Sequence, residues 1–255
     1  MPRNNWSREE LILTFNLYLK IPFGKFHHRN KEVIELASLI HRTPSAIAMR
    51  LSNFASVDPY HRERGISGLR GGIAQVQPIW DEFSVNKEDL IFESEKILAQ
   101  IQKTTIENKY SSILKDVENL VGETKVREVK TRINQNVFRQ IVLANYSGKC
   151  AVTGFNSTSF LIASHIIPWS IDKQNRLNPQ NGVLLNNLHD KAFENGFMAI
   201  NKNYDILICT EFLKSKDNFI QSYFSSFHNK KIQMPIRFLP DKVLLEKHFE
   251  EKFLH

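Results

Sequence analysis

The stretch from Phe160 to Gly196 narrows the fold more than any other part of the chain. It opens with an apolar run, Phe160 to Trp169, that holds a single histidine, His165, and reads as a strand entering a Pro-ended turn. Asn178-Pro179-Gln180-Asn181-Gly182 is a polar turn that runs directly into a short apolar strand ending at Leu185, as a hairpin returning under the first strand would. Asn186 or Asn187 then caps a helix of about two turns, which Gly196 ends. Strand, turn, strand and short helix in immediate succession make a small ββα unit.

Its polar side chains bear on chemistry. An imidazole with a pKa near about 6.5 is suited to taking a proton from water at neutral pH, which makes His165 a candidate general base. Alone, a histidine among isoleucines is more often a hydrogen-bonded core residue. The Asn181 amide can donate and accept, and so bridge the two arms of the loop that carries His165. It can equally be a turn asparagine favoured before glycine. Asp190 and Glu194 are four apart, on one helix face, where like charges repel by about a few tenths of a kcal/mol unless a cation lies between them. Hard oxygen ligands with room for water suit magnesium or manganese. An isolated pair of this kind is more often a solvated surface.

Taken in order, Cys150-Ala151-Val152-Thr153-Gly154, Ala163-Ser164-His165-Ile166-Ile167-Pro168-Trp169, Asn178 to Gly182 and Leu188-His189-Asp190-Lys191-Ala192-Phe193-Glu194 resemble the HNH (ββα-metal) endonuclease family. Within that family they look like a branch described as restriction endonucleases. The resemblance implies His165 as the base in a His-Ile-x-Pro segment, and Asn181 nine positions ahead of the metal ligand Asp190, with Glu194 as a second ligand. It also implies double-stranded DNA as substrate, Mg2+ or Mn2+ as cofactor, and 5′-phosphate and 3′-hydroxyl ends as products. Ser164 stands where the family usually has an aspartate or histidine ligand, and a hydroxyl is the weaker donor. His189 is one position from the family's helical histidine and stays open to three roles: support behind the ligands, substrate contact, or replacement ligand. Many relatives staple the fold through paired Cys-x-x-Cys motifs on zinc. This chain has only Cys150 and Cys209, so no structural zinc is expected.

Upstream, Ser7-Arg8-Glu9-Glu10 is a capping-box pattern ahead of a first helix that runs to Pro22. A periodic segment from Asn30 to Ile40 is followed by His41-Arg42-Thr43-Pro44, where Thr43 caps and Pro44 starts another helix. Two helices joined by a tight turn suggest a helix-turn-helix, with Arg50 and Asn53 available to base edges or phosphates and Arg42 as a further phosphate contact. Residues 58–77 hold four glycines among arginines without the Gly-Lys-Ser/Thr ending of a P-loop, which excludes a nucleotide-binding loop of that kind. From Asn86 to about Gly122 the chain reads as charged helix whose apolar positions, Leu90, Ile91 and Leu114 among them, could serve a dimer. Between Lys125 and Lys149 six basic residues, Arg132 and Arg139 among them, face one acid. They could follow a phosphate backbone or form the solvated face of a helix whose Val126, Val129, Ile133, Val137 and Ile141 point inward.

The expected fold class is α+β, a mainly helical N-terminal part followed by the ββα unit. The expected segments are a helix-turn-helix-like DNA-binding module over 1–85, a helical linker over 86–135, an HNH nuclease domain over 136–205 and a C-terminal packing extension over 206–255. In that extension His248 and His255 are expected at the surface or as helix-end charges. At 255 residues and 42% hydrophobic the chain can bury one or two cores, and its net charge of +7 fits a nucleic-acid partner. No run nears the roughly twenty apolar residues of a membrane span, and two cysteines and a polar start fit a cytoplasmic protein. The leading functional expectation is a divalent-metal-dependent DNA endonuclease of restriction or defence. Two others stay beside it: a less selective HNH nuclease of recombination or mobile elements, and a non-catalytic DNA-binding protein with a degenerate HNH fold, which Ser164 would favour.

Overall fold

The N-terminal helices begin where their caps dictate. In the computed structural model, which describes residues 5–21, 23–63, 70–117 and 119–254, the chain divides into two compact units, Met1–Val137 and Phe138–His255. Pro22, residues 64–69 of the glycine- and arginine-bearing loop, and His255 lie outside the described residues.

In the first unit, helix α1 (Arg8–Lys20) opens on a closed capping box, with Ser7 and Glu10 each accepting the other's backbone N–H. Leu11 to Leu19 are buried on every side, so α1 runs through the middle of the unit. Asn30 caps α2 (Lys31–Leu39) and Thr43 caps α3 (Pro44–Val57), with Pro44 in its first turn. The turn between them places His41 at φ 55, a left-handed conformation that closes the pair tightly. Asp58 caps the short α4 (Pro59–Arg62), and α5 (Ile73–Phe83) passes through Pro78. Phe15 stacks on Phe54 with ring centres 4.7 Å apart, and Tyr18 and Trp80 complete an aromatic core shared by α1, α3 and α5.

Helix α6 (Lys87–Ile101) packs against α1, followed by the short α7 (Ile106–Lys109). The linker expectation is corrected here. Leu90 and Ile91 are fully buried and Leu114 is 4% exposed, so these residues build the core of the unit and are not a face for a second copy. The helix also breaks after Ile101, before α8 (Gly122–Asn145) begins. Val129 and Ile133 of α8 join Ala99, Ile106 and Leu114 in one apolar cluster, whereas Val126 is exposed.

A buried carboxylate ties the unit together without any sign in the apolar pattern. Glu95, 1% exposed, pairs with Lys20 at 2.7 Å and Lys109 at 2.8 Å, and accepts from the Tyr110 hydroxyl and the Asn16 amide. Burial alone would raise this carboxyl, but the two ammonium groups and their hydrogen bonds outweigh it and hold it at about 2. The network stabilises fully above the ordinary value of 4.5, and that contribution is lost as pH falls through about 2. Glu95→Gln is therefore expected to lower the urea midpoint at pH 7 and to flatten its fall between about pH 4.5 and pH 2, read by tryptophan fluorescence.

The second unit is built on the last turns of α8. Phe138, Ile141 and Val142 are buried there, and Asn145 pins a distant segment by accepting from the Arg237 and Phe238 amides and donating to the Phe238 carbonyl. Strand β1 (Leu161–His165) pairs antiparallel with β2 (Gly182–Asn186), with His165 opposite Gly182 and Ser164 opposite Val183. A side chain at Gly182 would meet Val142 at 2.6 Å and Phe138 at 2.9 Å, so the hairpin lies flush on α8 because that position is glycine. Asn186 caps α9 (Asn187–Glu194), which ends at Gly196 with φ 80. A second hairpin, β3 (Met198–Ile200) and β4 (Ile206–Ile208), leads to α10 (Thr210–Lys214), α11 (Asn218–Tyr223) and α12 (Lys242–Lys252). The two cysteines are free and buried, and none of the described helices is long and apolar enough to cross a membrane.

Candidate active site

His165 ends β1 with its ring held on three sides. Phe138 stacks on it at 3.9 Å, Trp169 meets it edge-on at 5.6 Å, and Nε2 lies 2.9 Å from the Arg176 carbonyl. A carbonyl can only accept, so Nε2 carries the proton and Nδ1 keeps its lone pair. Burial lowers the pKa, and the hydrogen bond to Arg176 opposes it in part, so the ring is neutral at pH 7. Arg176 is fixed in turn, donating from Nε to the Trp169 carbonyl at 2.8 Å and lying over the Trp169 ring.

Asn181 is fully buried and joins the arms of the loop behind His165. Its Oδ1 accepts from the Ile167 amide at 2.8 Å, while Nδ2 donates to the Ile167 and Asn175 carbonyls at 3.0 and 3.1 Å. Its own carbonyl accepts from the Ile166 amide. The residues around the imidazole are thus stitched to the β2 side of the hairpin by one amide.

His165, Asp190 and Glu194 line a single cleft of about 260 Å³. Asp190 is half-buried, which raises its pKa; the Ser164 hydroxyl hydrogen-bonds the carboxylate and lowers it, and the charge of Glu194 raises it again. Glu194 is exposed and takes the Lys191 ammonium at 2.8 Å. Among the described residues no three His, Cys, Asp or Glu side chains gather into a metal-holding group. The donor set that the cleft does offer is two carboxylates one helical turn apart and the Ser164 hydroxyl. These are hard oxygens beside a partly desolvated negative charge, and they fit a magnesium or manganese ion that keeps several waters.

His189 does not belong to this cleft, and each role in catalysis or ligation expected for it is corrected. Its ring is fully buried on the other side of α9, stacked on Tyr223 at 4.8 Å with Phe224 and Phe227 edge-on. The Asn186 amide reaches Nδ1 at 2.9 Å and Nε2 lies 3.2 Å from the Tyr223 carbonyl, so both nitrogens are engaged. Burial, opposed by the Tyr223 contact, brings its pKa down to about 4. The reason lies in the helix: adjacent positions point about 100° apart, and with Asp190 toward the cleft, His189 turns to the core.

Each residue expected to contact DNA has partners within the protein. Arg42 pairs with Glu10 at 2.7 Å and lies over the Trp6 ring at 4.9 Å, and Arg50 covers the same ring at 4.7 Å and donates to the Gly72 carbonyl. Asn53 is 5% exposed against Gly72, where a side chain would come within 2.1 Å of its Oδ1. Base reading by the buried Asn53 is therefore corrected, and half-buried Arg50 packs beside it at the α3 to α5 corner. Arg132 pairs with Asp116, and Arg139 donates to the Leu161 and Thr158 carbonyls, which fixes the start of β1. His248, expected at the surface, is 2% exposed and lines the cleft together with Lys252. Nothing in the chain's local pattern sets these two apart; a histidine and a lysine four apart on the last helix were the available sign.

Residues 150–201 match the family model described as HNH endonuclease. The matched segment holds β1, β2, α9 and β3, and with them His165, Asn181, Asp190 and Glu194. No curated protein matches the chain.

Proposed function

We propose, from the premise that residues 150–201 are an HNH endonuclease domain, that this chain is a divalent-metal-dependent DNA endonuclease of restriction or defence. One observation carries the reading: a neutral imidazole with its proton fixed on Nε2 shares a cleft with two carboxylates one helical turn apart.

In this mechanism Nδ1 of His165 accepts a proton from a water molecule as the water oxygen attacks phosphorus. The bond from phosphorus to the 3′ oxygen breaks on the opposite side, and the departing oxygen takes its proton from solvent, leaving 5′-phosphate and 3′-hydroxyl ends. Asn181 holds the loop so that the ring keeps one orientation. Asp190 and Glu194, with Ser164 beside Asp190, would hold the ion. When bound, Mg2+ or Mn2+ supplies charge neutralisation for the five-coordinate phosphorus and the leaving oxygen. A cut through both strands calls for two such sites, hence two copies on opposite strands.

The test is incubation of supercoiled plasmid and of methylated and unmethylated genomic DNA with magnesium or manganese, with the fragment ends sequenced. Discrete fragments support restriction, and a smear supports the less selective nuclease. The smaller donor set, with Ser164 where a stronger ligand is usual, favours a second reading as a DNA-binding protein with a silent nuclease fold; intact plasmid together with DNA binding is its signature. Under the leading reading, Asp190→Ala is expected to raise the metal concentration for half-maximal cleavage by more than about tenfold. An unchanged metal titration would remove Asp190 from the ligand set.

A further inference from the structure

We propose that helix α12 completes the cutting site, with Lys252 binding the phosphate whose ester bond is broken. The inference rests on the nuclease reading above and concerns residues well beyond the 150–201 match.

Geometry brings α12 to the cleft at two points. The His248 ring stacks on Phe193 at 3.8 Å with 5° between planes, and its Nε2 donates to the Phe193 carbonyl at 3.1 Å. Phe193 lies on α9 between Asp190 and Glu194, so this stack registers α12 against the helix that carries both carboxylates. One turn further on, the Lys252 carbonyl approaches Gly196 so closely that a side chain there would sit 1.9 Å from it, and the Leu254 amide donates to the Gly196 carbonyl at 2.9 Å. His248 and Lys252 are four apart, on one face of α12, and both line the cleft with His165.

Charge supplies the second argument. Of the residues lining the cleft, Lys252 is the one cation. Its side chain is exposed and makes no ion pair among the described residues, whereas Lys202 reaches Glu246 and Lys247 reaches Glu251 nearby. His248 is neutral at pH 7, its pKa brought to about 4 by burial against the opposing Phe193 hydrogen bond, and His165 is neutral as well. A divalent ion would offset the charge of Asp190 and Glu194, and the Lys191 ammonium is already held on Glu194, so Lys252 is the cation lining the cleft that no described carboxylate engages. A phosphodiester carries one negative charge, and the five-coordinate state reached as water attacks and gives its proton to His165 carries two. An ammonium at the rim of the cleft therefore favours the second over the first and acts on the maximal rate.

Full-length Lys252→Met, which keeps the aliphatic stem, and Lys252→Arg separate the possibilities, with His165→Ala as the reference for loss of chemistry. Binding of a plasmid-derived DNA duplex in EDTA, measured across salt concentrations, is expected to lose about 0.9 from the slope of log affinity against log salt in Lys252→Met and to keep it in Lys252→Arg. Single-turnover cleavage with magnesium at saturating DNA is expected to fall about 10²-fold in Lys252→Met and to recover in part in Lys252→Arg. If the wild type cuts, His165→Ala does not, and Lys252→Met keeps either the wild-type slope or the wild-type saturated rate, the role of α12 is overturned while the nuclease reading stands. A wild type that cuts with no metal overturns both.

Discussion

Replacing His165 by alanine is expected to lower single-turnover DNA cleavage about 10²- to 10⁴-fold, the range that a positioned general base contributes. Affinity for DNA measured without metal should stay within about twofold, because the neutral ring adds no charge for phosphates to meet. Stability is a separate matter. The ring lies between Phe138 and Trp169, so alanine leaves a cavity and is expected to cost about 1–3 kcal/mol. His165→Gln keeps more of that volume and the donor toward the Arg176 carbonyl without supplying a base, and it should be as inactive as alanine while melting closer to the wild type. Wild-type cleavage rates in both variants, on protein shown to be folded by circular dichroism, would remove His165 from the chemistry.

The second large effect is expected at Gly196. Its φ of 80 lies in the left-handed region, where a residue with a side chain costs about 1–3 kcal/mol, and the new carbon would stand 1.9 Å from the Lys252 carbonyl oxygen. The obstacle is backbone, so no side-chain rotation relieves it, and either α9 or the end of α12 must shift. Gly196→Ala is expected to lose more than about 3 kcal/mol in urea unfolding, and the folded fraction should cleave more slowly as the Phe193 and His248 stack loosens. A variant whose urea midpoint matches the wild type would mean that the two chain segments do not meet as described.

Much of the small ββα unit is legible in the residues because its signals are local. Apolar runs of strand length, a Pro- and Gly-bearing turn and an asparagine cap followed by a terminal glycine are read within a few positions of where they act, and the hairpin and helix stand where these signals put them. The N-terminal caps at Ser7, Asn30 and Thr43 are legible for the same reason. What stays hidden depends on distant partners. His189 and His248 look alike as polar residues on helices, yet one enters an aromatic nest from α11 and the following turn, and the other stacks on Phe193 more than fifty positions away. Arg42, Arg50 and Arg139 read as cations available to DNA because a sequence does not show the Glu10 carboxylate, the Trp6 face or the carbonyls that occupy them. Helix period likewise finds Leu90 and Ile91 apolar without telling whether they face α1 or a second copy.

Helix α8 has a consequence for anyone who wants to excise the HNH endonuclease domain. It lends Val129 and Ile133 to one core, then Phe138 and Val142 to the other, and the ring under the His165 imidazole is Phe138, twelve positions ahead of the first residue of the family match. Trimmed to that match, the fragment would lose the floor beneath its histidine and the lysine at its rim in one stroke. The portable cassette is larger than its signature, and its natural boundary falls inside a helix where no linker invites the scissors.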